Sequence, residues 1–230
     1  VFPFIGARGR RWCIRWWSRR MLRIVRLTVR VHGAPHALPP RAPHMLLANH
    51  VSWLDVFVLR AHVECRFVAK SEIRRWPLVG WMVSRQGTVF VQRARKRDTA
   101  RVNESVEVAL ASGEAVVVFP EGTTTDGTEV KPFHASLLQP LVHAHGWAVP
   151  VGLRYVCEDG SRDPAPAYVA ERSLWDTTLL ITARPALEAE LFFGEPVHAV
   201  GRHRRDLAEV TAASVASCLG LPSPARRQPS

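Results

Sequence analysis

His50 and Asp55 close an apolar run, MLLANHVSWLD (residues 45–55), and their types and spacing suit proton chemistry. A carboxylate that accepts a hydrogen bond from one imidazole nitrogen fixes the ring's tautomer and stabilises the imidazolium, which leaves the other nitrogen to take a proton. A helix starting near Ser52 would put His50 in the preceding turn and Asp55 within reach of the ring. The chain has no GxSxG elbow, and Ser52 is too close in sequence to His50 to reach it easily as a nucleophile. A hydroxyl brought by the substrate is the better partner for such a base. The plainer alternatives are a hydrogen-bonded core histidine and an acid favoured by a helix N-terminus.

Two other stretches could serve the same chemistry. VFVQRARKRD presents Arg93, then Arg95, Lys96 and Arg97, as the chain leaves an apolar run. The first guanidinium suits bidentate phosphate recognition, although such a charge run also reads as a solvated loop. VFPEGTTTDG carries Glu121 into a turn with Gly122 and Thr123. It reads either as an ordinary turn or as a polar loop gripping a substrate hydroxyl.

The elements that must position these groups alternate along the chain. Apolar runs predict strands over 45–48, 65–69, 88–92, 115–119 and 148–156, with helices over 52–62, 77–85, 98–111 and 134–145 between them. That alternation predicts an α/β fold with a largely parallel sheet flanked by helices. In such a sheet function gathers at the carboxyl ends of the strands, where all three clusters fall. Residues 179–197, LLITARPALEAELFFGEPV, read as one or two further strands, and 204–220 as a helix. Residues 33–220 thus form one domain, and 221–230 a flexible tail.

The first 54 residues hold ten arginines and no acid, within a chain of formal charge +11. Such basicity implies an anionic partner: nucleic acid, an acidic membrane or an anionic substrate. Arg8, Arg11, Arg15, Arg19, Arg23, Arg26 and Arg30 recur every three or four residues, opposite Ile14, Trp17, Met21, Ile24 and Val25. The spacing predicts an amphipathic helical segment over 1–32 associated with a membrane interface, with Trp12, Trp16, Trp17, Arg15, Arg19 and Arg23 making the contact. The alternative is a helix packed on the domain with a solvated basic face. No window is long and apolar enough to predict a transmembrane helix, and no secretory signal is recognisable. The sequence begins at Val1, which leaves open what precedes it.

Two rival classes are weaker. A nucleic-acid-binding protein is argued by charge alone, without a helix-turn-helix or RNA-binding motif. A metal-dependent hydrolase would use His50, His134, His143, His145 and Asp55, but HExxH is absent, and His143 and His145 are two apart on an expected helix. The four cysteines form no CxxC pair, so neither a disulfide framework nor a zinc knuckle is expected and a reducing compartment is the default.

Together these residues resemble the glycerophospholipid acyltransferase family, typified by 1-acyl-sn-glycerol-3-phosphate acyltransferases. NHVSWLD matches the NHxxxxD block with Asn49, His50 and Asp55, and GTVFVQR the second block with Gly87 and Arg93. FPEGTT matches the third with Pro120, Glu121, Gly122 and Thr123, and VPVGLRY the fourth with Val149 and Pro150. Lys70, Pro77 and Gly80 also stand in expected places, and the resemblance covers roughly residues 30–160. It implies His50 as base, Asp55 as its orienting acid, and Arg93, Glu121, Gly122 and Thr123 at the substrate. It implies a lysophospholipid acceptor, acyl-CoA or acyl carrier protein as thioester donor, no cofactor, no metal and no nucleic acid. The expected place is peripheral or monotopic on the cytoplasmic face of a bacterial inner membrane, against an anionic surface. One departure bears on the acceptor: Thr124 stands where lysophosphatidate-specific relatives commonly have Arg, and EGTT variants resemble enzymes that acylate other lysolipids, including lyso-ornithine lipid.

Overall fold

Apolar runs buried on both faces build the middle of the sheet. The computed structural model describes residues 6–33, 42–70, 89–91, 96–169 and 172–225. Its strands are β1 (Leu27–His32), β2 (His44–Ala48), β3 (Cys65–Lys70), β4 (Val89–Val91), β5 (Ala115–Val118), β6 (Trp147–Val156), β7 (Leu187–Phe193) and β8 (Val197–His198). The helices are α1 (Ala7–Ile24), α2 (Asp55–His62), α3 (Lys96–Ala111), α4 (Gln139–His143), α5 (Leu174–Ala183) and α6 (Arg204–Cys218), and a 3-10 turn (Ala135–Leu138) precedes α4. The sheet order is β1-β7-β6-β2-β5-β3-β4, with β8 beside β6.

Side chains alternate along each central strand between two cores. Leu46 and Ala48 of β2 join Val117 of β5 and Val149 and Val151 of β6 on one face, under α1, α2 and α5, which contribute Leu22, Val58 and Ile181. Met45 and Leu47 join Val116 and Val118 on the other, under α3, α4 and α6, through Leu110, Leu141 and Leu207. Burial on both faces explains why these strands read as unbroken apolar runs. Each fully buried Leu or Val contributes roughly 1.5–3 kcal/mol.

Strand β2 runs parallel to both neighbours, with Leu47 opposite Val118 of β5 and Pro150 of β6. The chain therefore leaves β2 as Asn49–His50 at the same edge where β5 delivers Phe119–Glu121. Among the described strands only β7 and β8 run antiparallel to a neighbour, β6, so the sheet is largely parallel as expected.

Three expectations need correction. The N-terminal helix does not extend through residue 32: it ends at Ile24, the chain turns through Arg26 at φ 52°, and Leu27–His32 becomes an edge strand parallel to β7. A spacing of four between Arg26 and Arg30 suits one face of a helix and one face of a strand equally, and β-branched Thr28, Val29 and Val31 favour the strand. Within α1 the Trp side chains divide: Trp12 and Trp16 are exposed, whereas Trp17 packs with Met21 against the core. Residues 179–197, read as one or two further strands, carry β7 and the start of β8, but their first residues, 179–183, end α5. Ser173 and Asp176 close a reciprocal capping box at its start, and Arg184 is held extended before Pro185 at its end. The helix expected over 77–85 lies outside the described residues.

Asn49 carries the β2–β6 pairing one rung past the ladder. Its Nδ2 donates to the Leu153 carbonyl at 2.8 Å, and its Oδ1 accepts from the Leu153 N–H at 2.7 Å. The side-chain amide imitates a backbone unit, so the main chain can turn away into the site. Asn49→Ala strands both Leu153 groups in a buried place and should cost about 2–4 kcal/mol in urea denaturation. A loss below about 1 kcal/mol would remove this role.

Candidate active site

Asp55 is fully buried at the first turn of α2 and accepts four hydrogen bonds. Oδ2 takes His50 Nδ1–H at 2.8 Å and the backbone N–H groups of Val51 and Ser52 at 2.8 and 2.9 Å, while Oδ1 takes the Tyr155 hydroxyl at 2.7 Å. Because a carboxylate only accepts, Nδ1 carries the proton and Nε2 is the nitrogen left for a reacting group. His50 keeps 22% of its side chain exposed, against none for Asp55. The imidazole thus reaches the surface while its orienting acid does not. The ring lies flat on Phe119, with centroids 3.9 Å apart and planes 10° apart.

Tyr155 is fully buried, and burial together with the Asp55 charge pushes its hydroxyl well above the usual 10. It therefore remains a donor to Asp55. This residue was not singled out from the sequence, although it ends the VPVGLRY block. Alternation along β6 places Val149, Val151, Leu153 and Tyr155 on one face, and a tyrosine buried there requires an acceptor.

The loop after β5 clasps His50 by its main chain. Oε1 of Glu121 accepts the His50 N–H at 3.3 Å, and the His50 carbonyl accepts the Thr125 N–H at 2.8 Å. The Lys131 N–H also faces the Glu121 carboxyl, whose Oε2 is buried without a hydrogen-bond partner. Burial pushes its carboxyl up to about 8, helped by the Asp55 charge and opposed by the two backbone N–H groups and Lys131. Gly122 adopts φ 78°, a left-handed conformation that favours glycine, and its N–H closes the turn onto the Phe119 carbonyl at 3.2 Å. Thr123 is exposed. The Thr124 hydroxyl donates to the Tyr168 carbonyl, and the Tyr168 N–H donates to the Val51 carbonyl at 2.8 Å.

Of the residues expected at the site, the fold brings together Asn49, His50, Asp55, Pro120, Glu121, Gly122 and Thr123. Pro150 stands beside Leu47 and supports the edge from β6. Arg93 and Gly87 lie outside the described residues, as does the side chain of Lys70, whose backbone ends β3. His143 is occupied on the other side of the sheet by Glu107 and Gln139, and among the described residues no three His, Cys, Asp or Glu side chains group as a metal would require.

The family profile described as Acyltransferase matches residues 28–154, more than half of the chain. The chain belongs to the acyltransferase family. This acyltransferase is 34% identical over 196 residues to a lyso-ornithine lipid O-acyltransferase of Pseudomonas aeruginosa, covering 84% of this chain and 73% of that protein. It is 41% identical over 131 residues to a 1-acyl-sn-glycerol-3-phosphate acyltransferase of Neisseria gonorrhoeae, covering 56% of this chain and 51% of that one. Its fold is similar to the crystal structure of the 1-acyl-sn-glycerophosphate acyltransferase of Thermotoga maritima, with TM-score 0.67 at 21% identity, over 95% of this acyltransferase and 84% of that chain.

Two variants test the support around the dyad. Tyr155→Phe leaves Asp55 one donor short and should cost about 1–3 kcal/mol in denaturation. It should also lower acyl transfer roughly tenfold by loosening the imidazole, and full retention of both would remove its role. Glu121 holds a proton in the folded chain between its ordinary 4.5 and about 8 that the unfolded chain has released. Stability therefore falls as pH rises through that window. Glu121→Gln should gain melting temperature relative to the parent as pH rises from 5 to about 8 and level off above, in calorimetry across that range. A pH-independent difference would contradict this.

Proposed function

We propose that this acyltransferase moves a fatty acyl group from a thioester to the free hydroxyl of a membrane lysolipid. The observation that carries the reading is the His50–Asp55 pair at 2.8 Å, with the imidazole partly exposed and the carboxylate buried. Nε2 takes the acceptor's hydroxyl proton as its oxygen attacks the thioester carbonyl, and Asp55 stabilises the imidazolium that forms. Collapse of the tetrahedral intermediate forms the ester and breaks the C–S bond, and the imidazolium returns the proton to the departing sulfur. The nucleophile belongs to the acceptor, so no acyl-enzyme forms and the step uses no metal or cofactor. The donor is acyl-CoA or acyl carrier protein. Arg93, as the resemblance implies, holds an anionic group, and the turn at Gly122 and Thr123 meets the acceptor. Glu121 is buried, so its part is to fix the main chain of His50.

Two observations favour lyso-ornithine lipid over lysophosphatidate as the acceptor. Thr124 supplies no guanidinium for a phosphate and its hydroxyl is engaged by Tyr168. The lyso-ornithine lipid O-acyltransferases also match over 84% of the chain, against 56% for the lysophosphatidate enzyme of Neisseria gonorrhoeae.

The N-terminal helix supports a place against an anionic membrane surface. Trp12 and Trp16 stack with centroids 6.4 Å apart and share a groove with Arg15, Arg19, Arg20 and Arg23. Indoles at headgroup depth among guanidinium groups fit an interface of anionic lipid better than a nucleic acid, which offers no apolar layer. Among the described residues no helix is long and apolar enough to cross a membrane. The arrangement fits a peripheral or monotopic protein on the cytoplasmic face of a bacterial inner membrane.

The test is a panel of lysolipids with both donors, read by product mass, on the parent chain, His50→Ala and Asp55→Asn. Each substitution should lower transfer by about 10²-fold or more. Activity near that of the parent in both variants would eliminate the mechanism.

A further inference from the structure

Helix α5 turns three large apolar side chains outward: Trp175, Leu179 and Leu180 are 68, 50 and 41% exposed, beside the exposed Asp176 and Thr182, while Thr177 and Ile181 are buried. A helix packed on a core and facing water keeps its large apolar side chains inward.

The polar groups of α5 are satisfied within the helix itself. Thr177 donates to the Ser173 carbonyl, Thr178 to the Leu174 carbonyl and Thr182 to the Thr178 carbonyl, at 3.1, 2.7 and 2.9 Å. Asp176, the one charged residue of α5, accepts from the Ser173 N–H and hydroxyl, and its own N–H donates to the Ser173 oxygen. A segment whose hydroxyls bond back to its own carbonyls asks little of water and loses little on entering an apolar medium.

The position of α5 identifies that medium. Both α5 and α1 pack on the same face of the sheet, where Ile181 shares a core with Leu22 and Val25. The chain segments that follow the two helices meet, because the Leu187 N–H donates to the Arg26 carbonyl at 3.0 Å, and Ile24 is 58% exposed. The near end of α5 begins six residues after Tyr168, whose N–H is bonded to Val51 beside His50. The Trp12–Trp16 stack with its arginines and the exposed apolar side chains of α5 thus belong to two helices on one face of the sheet.

We propose that α5 is a second bilayer-contact element, which seats Trp175, Leu179 and Leu180 in the lipid interface while the arginines of α1 hold anionic headgroups. It rests on the lysolipid reading and adds to it: the catalytic edge is brought to the depth at which an acceptor hydroxyl lies. Three partly exposed side chains offer a few hundred Å², below the ~800 Å² per partner that a stable protein interface buries, which argues against a second copy as the occupant. The basic α1 on the same layer complements anionic lipid.

The full chain and a Trp175→Ala/Leu179→Ser/Leu180→Ser variant would be compared by co-sedimentation with phosphatidylcholine vesicles in molar salt, where charge is screened. A Trp12→Ala/Trp16→Ala variant and mixed phosphatidylglycerol–phosphatidylcholine vesicles at low salt form the second arm. The α5 variant, with circular dichroism and melting temperature unchanged, should partition roughly tenfold more weakly onto phosphatidylcholine. Trp175→Phe alone should reduce the quenching of tryptophan emission by lipids brominated in the acyl chain, a readout that survives if the triple variant fails to fold. Transfer to a vesicle-borne lysolipid should fall in step, while transfer to a short-chain lysolipid in free solution stays at the parent level. Unchanged partition and quenching, or a parent dimer that the substitutions dissolve without any lipid, would overturn the proposal. A parent chain that acylates no lysolipid, yet loses vesicle binding on the α5 substitutions, would remove the lysolipid reading and leave the contact surface standing.

Discussion

The buried carboxylate of Asp55 is the constraint on which the site depends. An ion taken fully out of water costs several kcal/mol unless its lone pairs are met. Here they are met by the imidazole, two backbone N–H groups and a tyrosine hydroxyl from another strand. Each donor is thereby fixed by the ion it satisfies. The turn at Val51 and Ser52 cannot open, β6 cannot slide and the ring cannot rotate without uncovering a charge. Preorganisation of the imidazole is thus a by-product of solvating its partner.

Around this pair the backbone is fastened from three sides. Asn49 ties the end of β2 to β6, Glu121 and Thr125 tie both polar groups of His50 to the loop after β5, and Tyr168 ties Val51 to the chain that leads into α5. The side that carries α5 also carries α1, so the fastening links the catalytic edge to the layer that exposes tryptophan. Tyr155 of the site and the two helices that expose tryptophan share a face of one sheet.

Much of this could be read in advance. Strands β2, β5 and β6 were legible because burial on both faces leaves unbroken apolar runs, and the clusters that follow β2 and β5 then fell at one edge by parallel topology. The dyad was legible because its partners are five residues apart. Tyr155 was not, since its partner lies 100 residues away and only the register of β6 on β2 brings them together. The end of α1 was hidden by an arginine spacing that serves two periodicities. Helix α5 was hidden by an apolar outward face, which matches no pattern written for a helix in water.

The pairing of β1 with β7 has a consequence in time. Arg30 meets Glu188 across 158 positions of sequence, so β1 finds no partner until β7 has been made. During synthesis the arginine-rich α1 emerges well before its berth in the sheet is completed. For that interval a nascent chain on the ribosome presents indoles and guanidinium groups to whatever anionic surface is nearest, before the catalytic domain has closed behind them.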